Sequence, residues 1–359
     1  MKILYGVNGE GMGHATRSTV VARHLVSQGH DVQFAINPGR AAAFLEKTWP
    51  GKVVTVNGLN ANMSGNRVAP LTTLLGNVAK HSMTGPWGHM AAAWAVRGPD
   101  VVVSDFEPWT ARYASVFGKP LIAVDNIHFM NRFKHDRGLI AGLPGDRTAA
   151  ALMHPIVSNM VPLAKRYLVT SFAEAPVAIQ PSSLHLPILR PELLDRPTSI
   201  GSHVVAYLND KADHKSMIGA LQGAGGEFHV YGPKIEAPLE LGNGVTVFPM
   251  SPEGFMADLA SSRAVIGGAG FTLMTEAIYL GKPMLAMPFA GQFEQILNAN
   301  YLERLGYGDR LIGPLTPEKI GSFLERAPGY RSKLAALPKH DRNTELLSSL
   351  DRAILEVTS

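Results

Sequence analysis

Short apolar runs rich in β-branched residues alternate along the chain with segments whose apolar positions recur at helical spacing. In the first half, strands are predicted at Ile3–Val7, Val32–Ile36, Val53–Val56, Val101–Ser104, Leu121–Val124 and Tyr167–Thr170. Helical patterns such as Thr16–Gln28 and Trp109–Phe117 lie between them, and a glycine follows each. Buried strands that alternate with helices predict a parallel sheet covered on both faces.

A second series of the same kind follows a proline-rich stretch, PSSLHLPILRPELLDRP. Because proline neither donates to a sheet nor continues a helix, this stretch predicts an extended linker. Beyond it, strands are predicted at His203–Leu208, Glu227–Tyr231, Val245–Phe248, Ala264–Gly267 and Met284–Met287, and helices near Lys215–Gln222 and at Arg342–Val357.

The predicted architecture is therefore α/β, with two doubly wound domains joined by a hinge. The first domain spans residues 1–180, the linker 181–198 and the second domain 199–340, and the C-terminal helix of 341–359 is placed to pack back on the first domain. A chain of 359 residues that is 46% hydrophobic is too long for one ordinary core and fits two. We expect a ligand in the cleft between them.

Composition and charge exclude several classes of function. The chain has no cysteine, which excludes disulfides, thiolate catalysis and Cys-ligated zinc. The net charge of +4 comes without a run of Lys and Arg, so no nucleic acid is expected as a partner. No apolar window reaches about 18 residues, and the N-terminus begins a strand rather than a signal peptide. We therefore expect a cytoplasmic protein, for which peripheral contact with the inner membrane face stays open.

The first predicted strand continues into the loop GVNGEGMGH, in which Gly9, Gly11 and Gly13 alternate. A dinucleotide-binding loop has a third glycine where this chain has His14, and an acidic residue after the second strand where it has Asn37. A dehydrogenase is therefore disfavoured. A histidine at the carboxyl end of a strand, where open α/β sheets bind ligands, predicts a general base; a purely structural role is the alternative.

A carboxylate that holds the imidazole and steadies its protonated form would complete such a base. Two aspartates end predicted strands, Asp105 in VVVSDFEPW and Asp125 in IAVDNIHF. The spacing allows either to contact His14. For Asp105, capping of the helix that begins near Pro108 is the alternative.

A second glycine loop, VIGGAGFTLMTEA, lies between a predicted strand and a predicted helix and contains Gly267, Gly268 and Gly270. The free N–H groups and the dipole at a helix start favour an anion, so the loop predicts a diphosphate site without a lysine. Asn209, which follows the first strand of the second domain, is expected to assist there.

Polar side chains follow this loop at two further places. Glu276 lies about two turns into the same helix, where a carboxylate can chelate the diol of a ribose. Gln292, Glu294 and Gln295 lie at the next junction of strand and helix, PFAGQFEQ, where they suit sugar hydroxyls.

These loops resemble the donor signature of the GT-B glycosyltransferases, of the UDP-glycosyltransferase and lipid-linked GlcNAc transferase kind. The matching positions are Gly267, Gly268, Gly270, Thr275, Glu276, Ala277, Gly281, Pro283, Pro288, Glu294, Gln295, Asn298 and Ala299. The first loop, with His14 and Arg17, resembles the loop in which that family's histidine deprotonates the acceptor. The family supports this histidine with an aspartate at a strand end, which points to Asp105.

The chain departs from the plant-type signature in three respects. The Trp and Asn of the plant base-binding positions are not evident, so recognition of uracil is implied by the resemblance alone. His-Cys-Gly-Trp is replaced by residues 266–269, Ile-Gly-Gly-Ala, so backbone N–H groups stand in for a histidine donor to phosphate. The acid-Gln pair is Glu294-Gln295 rather than Asp-Gln, so the identity of the donor sugar is not indicated.

The resemblance implies two Rossmann-like domains facing across a cleft, the first for an acceptor and the second for a nucleotide-sugar. It implies inverting, metal-independent transfer to a hydroxyl of a small molecule, lipid or glycan, with UDP favoured over dTDP or GDP. No pair of aspartates separated by one residue, the metal-binding motif of the other main glycosyltransferase fold, occurs. We expect neither a cofactor nor a metal site. The donor-binding candidates are Gly13, Asn209, Gly267, Gly268, Ala269, Gly270, Thr272, Glu276, Gln292, Glu294 and Gln295.

The acceptor side is less clearly marked. Met83 and Trp87, in a Met- and Trp-containing segment after a loop-like stretch, are acceptor-binding candidates because soft apolar surfaces adapt to varied ligands; core packing is the alternative. Asp125 is a third candidate. The competing functions are a nucleotide-sugar 2-epimerase and a non-catalytic sugar-nucleotide-binding protein, although binding alone needs no base.

Overall fold

The computed structural model of the chain describes residues 1–9, 11–56, 92–140, 146–208 and 213–359, and the backbone of 63–64 and 67–68. The strands within these residues are β1 Lys2–Val7, β2 Asp31–Ile36, β3 Val53–Thr55, β4 Met63–Ser64, β5 Arg67–Val68, β6 Val101–Asp105, β7 Leu121–Asp125, β8 Arg166–Thr170, β9 Ser182–His185, β10 Val204–Tyr207, β11 Phe228–Tyr231, β12 Leu239–Glu240, β13 Val245–Val247, β14 Ala264–Gly268, β15 Met284–Met287 and β16 Gly308–Arg310. The helices are α1 Met12–Ser27, α2 Arg40–Thr48, α3 Pro108–Val116, α4 Phe129–Arg132, α5 Arg137–Ile140, α6 Asp146–Met160, α7 Pro191–Leu194, α8 His214–Ala224, α9 Pro252–Ser261, α10 Phe271–Tyr279, α11 Phe293–Leu305, α12 Pro317–Ala335 and α13 Thr344–Thr358.

Two seven-stranded sheets organise the described residues. The first has the order β3-β2-β1-β6-β7-β8-β9, and all of its neighbouring strands are parallel. The second has the order β12-β13-β11-β10-β14-β15-β16 and is parallel except for its edge strand β12. Every residue of β6 and β7 is buried, as expected for strands with helices on both faces. The prediction of two parallel sheets is confirmed.

Helix α1 begins four residues before the predicted helix, because the prediction started only where apolar periodicity begins. Gly11 precedes the helix with φ of 86°, a left-handed conformation that favours glycine, and Met12 is its first residue. His14 consequently lies in the first turn of α1 rather than in the loop. Its side chain is fixed by a helix backbone.

The sequence predicts an extended linker for the proline-rich stretch, but in the structure it contains a strand and a short helix. Ser182–His185 forms β9, a parallel edge strand that pairs Leu184 with Val169 of β8. Pro181 and Pro187 flank these four residues, whose own N–H groups remain able to bond to a neighbouring strand. The short helix α7 follows, with a proline at its start. The chain therefore leaves the first sheet after β9 and enters the second sheet at β10.

The C-terminal helix α13 packs back on the first domain, as expected. Its apolar side chains Leu346, Leu350, Ala353 and Ile354 are each at most 3% exposed and join the core on one face of the first sheet. Asn343, the residue before α13, makes two side-chain hydrogen bonds of 2.9 and 2.8 Å with the backbone of Leu189. The chain thus crosses between the domains twice, and the crossings are bonded to each other.

Helix α11 follows β15 of the second sheet, yet one of its apolar faces lies in the core of the first domain. Phe293, Ile296, Leu297 and Tyr301 are buried together with residues of α4 and α5. The Tyr301 hydroxyl is also 2.9 Å from Nδ1 of His135. The two domains therefore share an apolar contact beside the cleft.

Among the residues that the structure describes, none of the helices combines the length and the apolar character needed to span a bilayer.

Candidate active site

His14 and Asp105 lie side by side at the carboxyl ends of β1 and β6. The parallel register pairs Val7, the last residue of β1, with Asp105, the last residue of β6. Nδ1 of His14 is 2.9 Å from Oδ1 of Asp105. The imidazole is 13% exposed, whereas Asp105 is fully buried. Of these two side chains, only that of His14 can therefore contact a ligand.

Arg17 holds both oxygens of Asp105 in a bidentate fork. Its Nε donates to Oδ2 at 2.8 Å and its Nη2 to Oδ1 at 2.5 Å, and the Ser18 hydroxyl adds a bond of 3.1 Å to Oδ2. Burial by itself raises the pKa of Asp105, but Arg17 and His14 outweigh burial and hold that pKa well below its usual range. The aspartate is therefore ionised. No sequence signal pointed to this contact, because Arg17 and Asp105 are 88 residues apart.

Asp125 is occupied by a different histidine. Its Oδ1 accepts a bond of 2.8 Å from the backbone N–H of His128, and its Oδ2 lies 2.7 Å from Nδ1 of the same residue. Both side chains are 1% exposed. Asp105 rather than Asp125 thus contacts His14. A direct contact between Asp125 and an acceptor would require these bonds to open, and that role stays a prediction.

Helix α3 is capped by Glu107. The alternative role considered for Asp105, capping of this helix, is therefore wrong. The Glu107 carboxylate accepts from the N–H groups of Trp109 at 2.9 Å and Thr110 at 2.7 Å. Asp105 is therefore left to Arg17 and His14.

The second glycine loop joins β14 to α10, as predicted. Gly270 precedes the helix without a side-chain hydrogen bond to its first turn, so the N–H groups of that turn have no side-chain cap. A Cβ added at Gly268 or at Gly270 would meet nothing within 4 Å. Nδ2 of Asn298, from α11, donates to the carbonyl of Ala269 at 3.3 Å and fixes the loop from behind.

The two glycine loops meet across the cleft at Gly13 and Thr272. A Cβ added to Gly13 would lie 2.4 Å from Oγ1 and 3.3 Å from Cβ of Thr272. Helix α1 also begins without a side-chain cap. The positive ends of two helix dipoles therefore converge at one point, which favours an anion between them.

Glu276 is 3% exposed and contacts a residue that the sequence reasoning missed. Arg190, in the linker, donates to Oε1 of Glu276 through Nε at 2.9 Å and through Nη2 at 2.5 Å. Burial raises the pKa of Glu276 more than Arg190 lowers it. Binding of a ribose diol by this carboxylate stays a prediction, and Arg190 is placed to orient it.

The three polar residues after β15 lie where α11 begins. Gln292 is the residue before the helix, and Oε1 of Gln295 accepts from the backbone N–H of Phe289 at 3.1 Å, which closes the loop. Oε1 of Glu294 accepts from Nδ2 of Asn126, in the first domain, at 2.8 Å. Oδ1 of Asn126 in turn accepts from Nη1 of Arg17.

A hydrogen-bonded path therefore leads from Asp105 through Arg17 and Asn126 to Glu294. It connects the His14 side of the cleft to the second domain. No sequence pattern pointed to Asn126, since its partners are 109 and 168 residues away along the chain.

An apolar cavity of about 290 Å³ lies beside this path. Its wall includes Phe293, which is adjacent to Glu294, and Met130, which is four residues after Asn126. The remaining lining residues are Ile140, Arg147, Ala150, Ala151, Met153, His154 and Val157.

Among the described residues, a cluster with metal-binding side chains occurs at the opposite end of the second sheet. His203, His229 and Asp258 place potential ligand atoms within 4.8 Å of one another. The two imidazole rings are stacked 4.2 Å apart at 15°, so their lone pairs run parallel instead of converging. Nδ1 of His229 is 2.8 Å from Asp258, and Nε2 of His203 is 3.0 Å from a backbone carbonyl. This geometry is that of a hydrogen-bonded cluster.

Asn209, Met83 and Trp87 lie outside the described residues. Their expected roles in donor and acceptor binding stay predictions.

Comparison with known proteins identifies the family. The sequence profile of glycosyl transferase family 1 matches residues 1–328. The chain belongs to this family. An uncharacterized glycosyltransferase of Methanosarcina acetivorans is 26% identical over 368 residues, which cover 94% of both chains, and one of Methanosarcina mazei is 24% identical with the same coverage. This family 1 protein is thus a glycosyltransferase.

Solved structures show that this glycosyltransferase has the GT-B fold. A UDP-glucose:anthocyanidin 3-O-glucosyltransferase in complex with UDP has a TM-score of 0.69 at 16% identity, with 99% of both chains covered. The glycosyltransferase of kitacinnamycin has a TM-score of 0.64 at 18% identity and 98% coverage. The calicheamicin glycosyltransferase CalG4 has a TM-score of 0.59 at 16% identity and covers all of this chain. The predicted fold class and the resemblance are confirmed.

Proposed function

We propose that this glycosyltransferase transfers a sugar from a nucleotide-sugar, with UDP as the favoured nucleotide, to an acceptor hydroxyl with inversion and without a metal. The observation that supports the proposal most directly is the His14–Asp105 pair, which lies across the cleft from the uncapped start of α10. A base and an anion site that face each other are what a single displacement at a sugar carbon needs.

In the proposed reaction, the acceptor hydroxyl gives its proton to Nε2 of His14 while its oxygen attacks C1 of the sugar. The bond from C1 to the phosphate oxygen breaks on the opposite face, and the electron pair leaves with the nucleoside diphosphate. One displacement inverts the anomeric centre. Asp105 accepts a hydrogen bond from Nδ1 and stabilises the imidazolium that forms.

The departing diphosphate is stabilised by the free N–H groups and the dipole at the start of α10, which begins after Gly270. Gly13 and Thr272 bring the start of α1 to the same point, so a second dipole adds to the first. These groups are fixed before the reaction begins, which makes them effective electrostatic catalysts. Together they replace the positive charge that a metal ion would supply.

The donor sugar is assigned to the residues at the start of α11. Glu294 points toward the first domain, where Asn126 holds it, and Gln292 precedes it at the helix start. A carboxylate in this place accepts hydrogen bonds from sugar hydroxyls. The complex of a related fold with UDP-2fluoro-glucose, a UGT2 of Phytolacca americana, supports a sugar nucleotide as donor.

The acceptor is assigned to the first domain. The apolar cavity next to Phe293 and Met130 fits the apolar part of a small molecule or lipid, and Arg147 and His154 supply polar contacts at its wall. Met83, Trp87 and Asp125 remain candidates for the same ligand.

The experiment that tests the proposal compares two histidines of the same helix. His24 also pairs with an aspartate, since its Nε2 lies 2.9 Å from both oxygens of Asp351, but it lies away from the cleft. His14→Ala is expected to reduce turnover by about 10²-fold or more, whereas His24→Ala leaves it unchanged.

Turnover is measured as release of nucleoside diphosphate from UDP-, dTDP- and GDP-sugars in the presence of phenolic and alcoholic acceptors. Release that depends on the acceptor separates transfer from epimerisation. If a folded His14→Ala variant keeps the turnover of the wild type, His14 is not the base and the proposed mechanism is refuted.

A further inference from the structure

The linker is bonded to α10, the helix whose start is proposed to bind the diphosphate. Arg190, which precedes α7, donates to Oε1 of Glu276 through Nε at 2.9 Å and through Nη2 at 2.5 Å. Three residues further along α10, the hydroxyl of Tyr279 donates to the carbonyl of Leu194, at the end of α7, at 2.9 Å. The linker therefore contacts this helix at two points, and the contact of Arg190 is the one nearer the helix start.

The side of α10 that carries Glu276 leads to the cleft. Thr272 lies four residues before Glu276, and therefore on the same side of the helix, and Thr272 is the residue that meets Gly13 across the cleft. Helical side chains point back toward the start of their helix, and the rise from Phe271 to Glu276 is about 7.5 Å. The carboxylate is thus within reach of a nucleoside whose diphosphate is bound at the helix start.

The two oxygens of the Glu276 carboxylate differ in their contacts. Both donors of Arg190 bond to Oε1, whereas none of the residues that the structure describes donates to Oε2. Glu276 is 3% exposed, and buried polar atoms usually have a hydrogen-bond partner. Oε2 is therefore available to a ligand, and one ionised carboxylate oxygen can accept from two hydroxyl groups.

Arg190 is itself held by the return crossing of the chain. Leu189, the preceding residue, makes two hydrogen bonds with the side chain of Asn343, and the carbonyl of Pro187 lies 2.8 Å from Nε2 of His340. Burial raises the pKa of Glu276, and the charge and hydrogen bonds of Arg190 oppose this effect. An arginine on a fixed backbone thus both orients the carboxylate and favours its ionised form.

We propose that Arg190 is a positioning residue that holds Oε1 of Glu276 and thereby presents Oε2 to the two hydroxyls of a ribose, which makes the linker part of the nucleotide site. This inference rests on the proposed function, because it takes a nucleoside diphosphate to be bound at the start of α10. It assigns to the protein a selectivity for nucleotides with an intact ribose diol, and it makes that selectivity dependent on Arg190.

The test compares the affinities of the full-length protein for UDP and for 2′,3′-dideoxy-UDP, which lacks both ribose hydroxyls, by calorimetry. The wild type is expected to bind UDP about 10- to 150-fold more tightly, as expected when hydrogen bonds to a charged group are lost. Arg190→Gln should reduce this ratio by about 5-fold or more, because the carboxylate is no longer held in place. Arg190→Lys keeps the charge without the fork and should give an intermediate ratio.

Arg196→Gln is the matched control. Arg196 belongs to the same linker, and its Nη2 donates to Oε1 of Glu253, on α9, at 2.5 Å. The side chain of Glu253 is 73% exposed, and the proposal gives it no contact with the nucleotide, so this variant should keep the ratio of the wild type. Glu276→Gln completes a double-mutant cycle, in which adding Arg190→Gln to Glu276→Gln should not lower the ratio further.

A loss of affinity by the same factor for both nucleotides in Arg190→Gln would assign only a structural role to Arg190 and overturn the proposal. If Arg190→Gln does not fold, Arg190→Lys and Glu276→Gln decide, and a wild-type ratio in both overturns it. Equal affinities of the wild type for the two nucleotides would also overturn it, whereas acceptor-dependent turnover that requires His14 would still support the proposed function. Full turnover in His14→Ala refutes the proposed function, and the ratios of affinity do not depend on that result.

Discussion

The approach of Gly13 to Thr272 provides a prediction in which one substitution acts in opposite directions on two measurements. Alanine at position 13 is compatible with the helical backbone of α1, and replacing glycine by alanine in a helix stabilises it by up to about 1 kcal/mol. The new Cβ, however, would lie 2.4 Å from Oγ1 of Thr272. Rotation of the threonine side chain does not remove the conflict, because the two Cβ atoms would still be 3.3 Å apart.

Overpacking of this size costs about 1–3 kcal/mol. Opening of the domains would relieve the clash, so the cost falls on the arrangement in which the two helix starts meet, the one proposed to bind the diphosphate. Gly13→Ala is therefore expected to weaken UDP binding by about 5- to 150-fold, measured by calorimetry. The midpoint of thermal unfolding without UDP should stay the same or rise.

Two further variants complete the experiment. Gly219→Ala makes the same change in α8, where a Cβ would meet nothing within 4 Å, and should leave UDP affinity unchanged. Thr272→Ala removes Oγ1, so adding Gly13→Ala to it should cost less than adding it to the wild type. Unchanged UDP affinity in Gly13→Ala, or an equal loss in both backgrounds, would refute the close approach of the two loops.

Two predictions concern stability. Asp105→Asn leaves the buried Arg17 without its counter-ion and should reduce the free energy of unfolding by about 3–5 kcal/mol. Asp351→Asn removes the partly exposed partner of His24 and should reduce it by less than about 1 kcal/mol. Equal shifts of the urea midpoint in the two variants would contradict the argument. Burial raises the pKa of Glu107 to about 7, so the folded state binds a proton more tightly than the unfolded state and loses stability as pH rises from about 4.5 to 7. Glu107→Gln should remove this loss, which amounts to up to about 3 kcal/mol. The thermal midpoint of the variant should therefore rise relative to that of the wild type as the pH increases across this range. A difference in midpoint that is the same at every pH would show that Glu107 does not titrate there.

Most strands could be predicted because each buries a continuous apolar run. Val101–Asp105 and Leu121–Asp125 are examples, and the predicted bounds differ from the observed ones by one residue. Strand β9 has the sequence Ser-Ser-Leu-His, which is short and polar, and its pairing with β8 at the edge of the sheet has no local signal. The start of α1 was placed too late because its first turn has glycine and histidine where apolar periodicity would show.

The site was predictable as far as strand ends could be aligned. A parallel sheet brings the carboxyl ends of its strands to one edge, which placed His14 near both Asp105 and Asp125. The choice between the two depended on side-chain contacts, because His128, three residues after Asp125, occupies that carboxylate. Arg190 and Asn126 could not be predicted, since each contacts residues far away along the chain that folding alone brings near.

The paired crossings of the chain limit how the two domains can move. Because Asn343 joins the return crossing to the outgoing one at Leu189, both connections lie at one place and define a common axis. Rotation about that axis can widen or narrow the far side of the molecule, whereas sliding or twisting of one domain against the other would break the amide bonds that Asn343 makes. A hinge at this place would bring Gly13 and Thr272 together in a single register.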